Sequence, residues 1–178
     1  MSVRAVFLDR DGVINRAIVR DGKPYPPASI AELEIIEGVS QALVSLRNAG
    51  FKLIVVTNQP DIASGKTALS TIEKIHDHMR RSLILDEIRV CIHSGHEGCQ
   101  CRKPKPGMLL DAAKEHGIVL AKSYMVGDRW RDIDAGHSAG CRTIFIDEGY
   151  EEQAPINNPD FVCKSLVEAA DWIIGDKL

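Results

Sequence analysis

The strongest constraint on this chain is a recurring pattern, in which a short apolar run ends in a polar cluster and is followed by a stretch with helical spacing. VRAVFL, residues 3–8, runs into Asp9–Gly12, and KLIVVTN, residues 52–58, repeats the form around a β-branched centre. Such runs read as buried strands. Between them, VSQALVSLRNAG places apolar residues at 39, 42, 43 and 46 and stops at Gly50, which predicts a helix laid on a sheet. The alternation continues with a helix over 70–85, a strand over 88–92, a helix over 106–115, a strand in YMVGD, a helix over 131–139, a strand in RTIFID and a closing helix in SLVEAADWI. Strands alternating with helices predict an α/β architecture, with a mostly parallel sheet covered by helices on both faces in three layers. At 178 residues the chain is expected to be one domain spanning 1–178. The proline-rich stretch over 15–36 is expected to be a loop or small flap, and neither it nor the segment after Thr57 has room for a cap domain.

In a sheet of this kind ligands bind beyond the carboxyl ends of the strands. The polar clusters therefore mark one rim: Asp9–Gly12, then Thr57 and Asn58, then the segment 91–107, then Gly127–Asp132. Asp9 and Asp11 are two apart, so on an extended strand end they share a side, and Asp128 adds a third carboxylate from another strand. Mg2+ takes oxygen ligands and one or two carboxylates. Thr57, Lys103 and the backbone N–H groups around Asp11 and Gly12 are the donors that a transferring phosphoryl group needs. The implied reaction is attack of a carboxylate on phosphorus, giving an aspartyl-phosphate that water hydrolyses. Any one of these carboxylates alone would read as a solvated loop residue or a helix cap. Four clusters at four strand ends do not.

Composition narrows the partners. A formal charge of −3 and a pI near 6.1 leave no basic stripe, which argues against an extended nucleic-acid footprint and leaves room for a local cationic pocket. No apolar run approaches the roughly 18 residues of a membrane span, so a cytoplasmic location is expected. Five cysteines, three of them within residues 91–101, fit a metal site better than a disulfide framework, and Cys141 and Cys163 read as core.

FLDRDGVIN, VVTNQ, RKPKPGM and VGDRWRD, in this order, resemble the four motifs of the haloacid dehalogenase (HAD) superfamily. The Cys/His segment before RKP is similar to that of its subfamily IIIA phosphatases, which take in heptose bisphosphate and histidinol phosphate phosphatases. The resemblance implies a Rossmann-like HAD fold without a large cap. It implies Asp9 as nucleophile, Asp11 as general acid/base, Thr57 and Lys103 around the phosphoryl group, and Mg2+ held by Asp9, the Asp11 carbonyl and Asp128. Lys105 competes with Lys103, but Lys103 sits in the arginine-lysine-proline triplet of the motif. Asn58, Arg102 and Arg129 are implied as substrate contacts. The expected activity is Mg2+-dependent removal of the 7-phosphate of a heptose 1,7-bisphosphate by a monomeric enzyme. Histidinol phosphate hydrolysis, nucleic-acid 3′-phosphate removal and non-catalytic phosphate binding are the alternatives.

Cys91, His93, Cys99 and Cys101 supply one imidazole and three sulfurs, the ligand set of a closed structural Zn2+ site. In the family such a loop binds zinc and leads into the arginine and lysine that meet substrate. His96 is the spare histidine, and the matching family position favours His93. His76 and His78, two apart on a predicted helix, read as solvated, and His116 and His137 as surface or helix-end residues. Pro60 and Asp61 stand where relatives commonly carry serine and glycine, so substrate choice is the least constrained point.

Overall fold

Successive residues of a strand point to opposite faces. In the first strand, β1 (Arg4–Leu8), Val6 and Leu8 enter one core and Ala5 and Phe7 the other, all at 0% exposure. A strand apolar on both faces belongs inside a sheet covered on both sides. The computed structural model, which describes residues 2–176, bears this out; residues 1, 177 and 178 of the expected domain lie outside the described residues. After β1 come β2 (Ile18–Arg20), β3 (Lys23–Tyr25), α1 (Val39–Asn48), β4 (Phe51–Asn58), α2 (Leu69–Ser82), β5 (Glu87–Cys91), α3 (Gly107–His116), β6 (Tyr124–Gly127), α4 (Trp130–Ala139), β7 (Arg142–Ile146), β8 (Phe161–Cys163) and α5 (Leu166–Gly175). The six-stranded sheet runs β5-β4-β1-β6-β7-β8 and every pairing in it is parallel.

One face carries α1, α2 and α5, through Leu43, Leu46, Ile75, Met79, Ala169 and Ile173. The opposite face carries α3 and the end of α4, through Met108, Leu109, Ala112 and Ala139. Each fully buried Leu, Ile or Met in these layers contributes about 1.5–3 kcal/mol. Cys141 and Cys163 are buried, as expected of core thiols.

Two elements depart from the sequence reading. The segment over 15–36 contains a small antiparallel hairpin, β2 paired with β3, turned by Asp21 at φ 49 and Gly22 at φ 68. Two successive positive φ angles make a primed turn, and Asp-Gly is its strongest sequence signal; the surrounding prolines obscured it. The other is β8, a three-residue strand pairing with β7 beyond the last predicted strand. Three residues are too few for a period of two to stand out.

Candidate active site

The chain leaves β1 for β4 on one side and later returns to place β6 on the other, so the strand order reverses beside β1. A sheet opens a crevice at such a point, beyond its carboxyl ends. Asp9 follows β1 with its N–H donating to the Val126 carbonyl at 2.9 Å, Thr57 and Asn58 close β4, and Asp128 follows β6. A cleft of about 250 Å3 opens there, floored by Asp9, Asp11, Thr57, Lys103 and Asp132, with the hairpin adding Pro24, Tyr25 and Pro26 to its wall.

Lys103 is 2% exposed, and its ammonium meets Asp9 Oδ1 at 2.8 Å, Asp132 Oδ1 at 2.6 Å and the Val56 carbonyl at 2.7 Å. Three donors thus have three acceptors. Burial works against this cation, but Asp132 and Asp9 outweigh it and raise its pKa above the ordinary lysine value. Lys105 is exposed and donates to the Gly98 and Cys99 carbonyls at 3.3 and 2.8 Å, so Lys103 is the lysine that reaches the cleft. The Asn58 amide donates to the Lys103 carbonyl at 3.0 Å and accepts from its N–H at 3.1 Å. Expected as a substrate contact, Asn58 has both polar ends engaged in holding the lysine's backbone.

Asp132 did not stand out in the sequence as a site residue. It is the last residue of the GDRWRD cluster, and in the first turn of α4 its Oδ2 also accepts from the Arg129 N–H at 3.0 Å. A side chain at Gly127 would place Cβ 2.1 Å from Asp132 Cβ, so only glycine lets the helix approach this closely. Gly12 is constrained in the same way: φ is +88°, and a Cβ there would lie 1.9 Å from Asp128 Oδ2.

The carboxylates lack sufficient counter-charge. Burial, then Asp132, raises the Asp9 pKa to about 6 against the opposing pull of Lys103. Burial, then Asp9 and Asp132, raises that of Asp128 well above the usual range, and apart from the neighbouring Tyr150 hydroxyl neither Asp128 oxygen has a hydrogen-bond partner among the described residues. With all three ionised, the Asp9, Asp128 and Asp132 carboxylates against one ammonium leave two negative charges. That excess and the all-oxygen donor set fit a hard divalent cation such as Mg2+.

Asp11 lies in a ring of donors. Arg10 reaches it through Nε at 3.1 Å and Nη2 at 3.0 Å, Asn15 Nδ2 at 3.0 Å and Gln59 Nε2 at 2.9 Å; Gln59 also donates to Thr57 Oγ1 at 2.9 Å. The expectation that the Gly12 N–H is open to a phosphoryl group is corrected, because it donates to the Asn15 carbonyl at 2.7 Å. So is the solvated placement of His76. It lies with Ile72, Ile75 and Met79 on the inward face of α2, and its Nε2 is 3.1 Å from Arg10 Nη1. An arginine only donates, so Nε2 is the acceptor and the ring is neutral. Burial, then the Arg10 charge, lowers the His76 pKa to about 4. Arg10, Gln59 and His76 were not legible as site residues because nothing in the sequence shows that α2 packs behind Asp11.

Behind the lysine lies the sulfur cluster. Cys91 Sγ is 3.2 Å from Cys101 Sγ, 3.8 Å from Cys99 Sγ and 3.4 Å from His93 Nδ1, and Cys101 Sγ is 3.3 Å from the same nitrogen. A tetrahedral zinc with Zn–S near 2.3 Å has S···S edges of about 3.8 Å, so these four side chains fit the ion; all three cysteines are free thiols and His96 is outside the group. Cys91 pairs with Asn58 across the strand ends. The loop is therefore tied to the sheet at Cys91 and, through Asn58, at Lys103. Arg102 borders the cleft and donates to the His93 carbonyl at 2.9 Å. Arg129 borders it too, with its guanidinium paired to Glu152.

The HAD-hydrolase-like family model matches residues 100–169. Over 96% of its length the chain is 36% identical to the D-glycero-beta-D-manno-heptose-1,7-bisphosphate 7-phosphatase of Helicobacter pylori strain J99, covering 97% of that protein. It is 38% identical to the enzyme of the same name from Escherichia coli K12, with 98% of this chain and 90% of that one covered. The crystal structure of D,D-heptose 1,7-bisphosphate phosphatase from B. bronchiseptica, complexed with magnesium and phosphate, superposes with a TM-score of 0.80 at 31% identity, covering 97% of this chain and 99% of that one.

Proposed function

The chain belongs to the HAD-like hydrolases, in the family of the D-glycero-beta-D-manno-heptose-1,7-bisphosphate 7-phosphatases, and from that premise we propose that it removes the 7-phosphate of a D-glycero-D-manno-heptose 1,7-bisphosphate by way of an aspartyl-phosphate on Asp9. It is a hydrolase of phosphomonoesters. The observation that carries the residue assignment is Asp9 itself: a buried carboxylate at a strand end, held by Lys103 at 2.8 Å on the floor of the cleft, with Asp11 beside it.

In this reading Lys103 holds one Asp9 oxygen and fixes the direction of attack, while its charge offsets that of the arriving phosphoryl group. Asp9 forms the bond to phosphorus, and the leaving sugar oxygen takes its proton from Asp11. Asp11 then takes a proton from the attacking water, inorganic phosphate departs and Asp9 is restored. Arg10, Asn15 and Gln59 orient the Asp11 carboxylate through both steps, and Thr57 lines the phosphoryl site. Asp9, the Asp11 carbonyl and Asp128 hold Mg2+, which when bound screens nucleophile and phosphate from each other. Cys91, His93, Cys99 and Cys101 hold Zn2+, and that loop aims Arg102 and Lys103. The chain acts as a single domain over 1–178 and as a monomer in the cytoplasm, where reduced thiols persist. No helix among the described residues is long and apolar enough to cross a membrane.

Phosphate release with Mg2+ and Zn2+ present tests the substrate, comparing both anomers of heptose 1,7-bisphosphate with histidinol phosphate, fructose 1,6-bisphosphate and a 3′-phosphorylated oligonucleotide. One heptose anomer should lead in kcat/KM by about a hundredfold, or roughly 2.7 kcal/mol of transition-state binding. Equal slow rates on all five would remove the heptose assignment.

A further inference from the structure

Three arginines border the cleft, and two of them have their guanidinium engaged. Arg102 donates to a backbone carbonyl and Arg129 is paired with Glu152. The side chain of the third, Arg131, makes no hydrogen bond among the described residues. Its closest carboxylate oxygen, on the same Glu152, is 3.9 Å from Nη1, and Asp61 on the rim of the cleft forms no ion pair with it. Its guanidinium lies over the Trp130 ring, 4.6 Å from the centroid. Stacking on an indole holds the plane of the group and leaves its N–H edge free to donate. The side chain is 33% exposed, open enough for a ligand and covered enough for the contact to matter.

An arginine held over an indole, with no hydrogen-bonded acceptor and its one carboxylate neighbour at 3.9 Å, on the wall of this cleft has the chemistry of an anion clamp. Arg102 lies close enough for its charge to act on Arg131, so an anion between them would meet two cations. The geometry points to Arg131, carried on Trp130, as the group that binds the second, non-reacting phosphate of the substrate. This rests on the bisphosphate reading above and adds to it a specificity-determining residue outside the catalytic set.

The test compares wild type, R131Q and R131K on heptose 1,7-bisphosphate and on heptose 7-phosphate, which lacks the distal group. For R131Q the ratio of kcat/KM for the bisphosphate over the monophosphate should fall about 10- to 100-fold, mainly through KM, as expected for loss of a charge-assisted contact made alike in ground and transition state. R131K should recover part of the ratio, since it restores charge without the fork. A ratio unchanged in R131Q, while wild type still prefers the bisphosphate, would overturn the assignment of Arg131 and leave the substrate reading intact. A wild-type enzyme that does not prefer the bisphosphate would overturn both.

Discussion

At the scale of single residues, Asp9 is poised between two demands. Burial and the neighbouring Asp132 work against its charge, Lys103 supports it, and the balance raises its pKa to about 6. Since the site disfavours the anion when no cation is bound, replacing Asp9 by Asn should leave folding stability within about 1 kcal/mol of wild type, because the amide keeps the shape and removes a charge. Turnover should nevertheless fall by at least about 10^3-fold, because an amide cannot form the acyl-phosphate. Urea unfolding and phosphate release on the same D9N preparation measure the two effects, and a variant that kept a tenth of the wild-type rate would rule out the covalent route. That Asp9, Asp11, Lys103 and Asp128 gather at one end of the sheet was legible in the sequence because each stands at a strand end or in a motif that names it. Arg10, Gln59 and Asp132 were not, because their roles depend on contacts across the fold: His76 of α2 behind Arg10, Asp11 beside Gln59, and the buried lysine beside Asp132.

At the scale of elements, α2 and the cysteine loop do different work behind the same cleft. α2 puts a neutral His76 against Arg10, and its lowered pKa, about 4, has a consequence for stability. Between about pH 6.5 and 4 the unfolded chain binds a proton at this histidine that the folded chain does not, so its contribution is full above about pH 6.5 and is lost as pH falls toward 4, by up to roughly 3 kcal/mol. The raised pKa of Asp9 runs the opposite way over part of that range. The clean readout is therefore the difference in unfolding free energy between wild type and H76Q, which should shift in favour of H76Q as pH drops from 7.5 to 4.5; a constant difference would mean that His76 ionises freely in the folded state. The loop gathers four side chains, those of Cys91, His93, Cys99 and Cys101, into one cluster. With zinc held there as proposed, wild type should carry about one ion per chain by elemental analysis and C101S close to none, and kcat/KM of C101S should fall at least tenfold because Lys103 and Arg102 lose their aim. Retained zinc would remove Cys101 from the ligand set. That these four side chains cluster was legible because residue types and spacing survive without coordinates. The hairpin and β8 were not, since a three-residue strand takes its identity from the neighbour it pairs with.

At the scale of the whole molecule, the sheet brings three acidic side chains from the ends of β1 and β6 and from α4 into one buried cluster with a single lysine among them. Ionised together these carboxylates repel one another, and a bound cation relieves that repulsion. The cluster should therefore act as a reporter of divalent cation binding on global stability. A cation that binds only the folded state at a hundred times its Kd adds about 2.7 kcal/mol. In a chain of 178 residues this corresponds to a rise in Tm of about 5–10 °C. Mg2+ at millimolar concentration should produce that rise in wild type, and Ca2+ a smaller one, since the same oxygens form a tighter and more demanding shell around Mg2+. D128N separates the contributions: relieved of a buried carboxylate that Asp9 and Asp132 repel, it should melt at or above the wild-type temperature without added metal, and its response to Mg2+ should all but vanish. Differential scanning calorimetry with and without Mg2+ reads both effects. If D128N melted well below wild type in the absence of metal, the Asp128 carboxylate would be stabilising in its own right, and the excess charge at the head of the sheet would not be what draws the cation in.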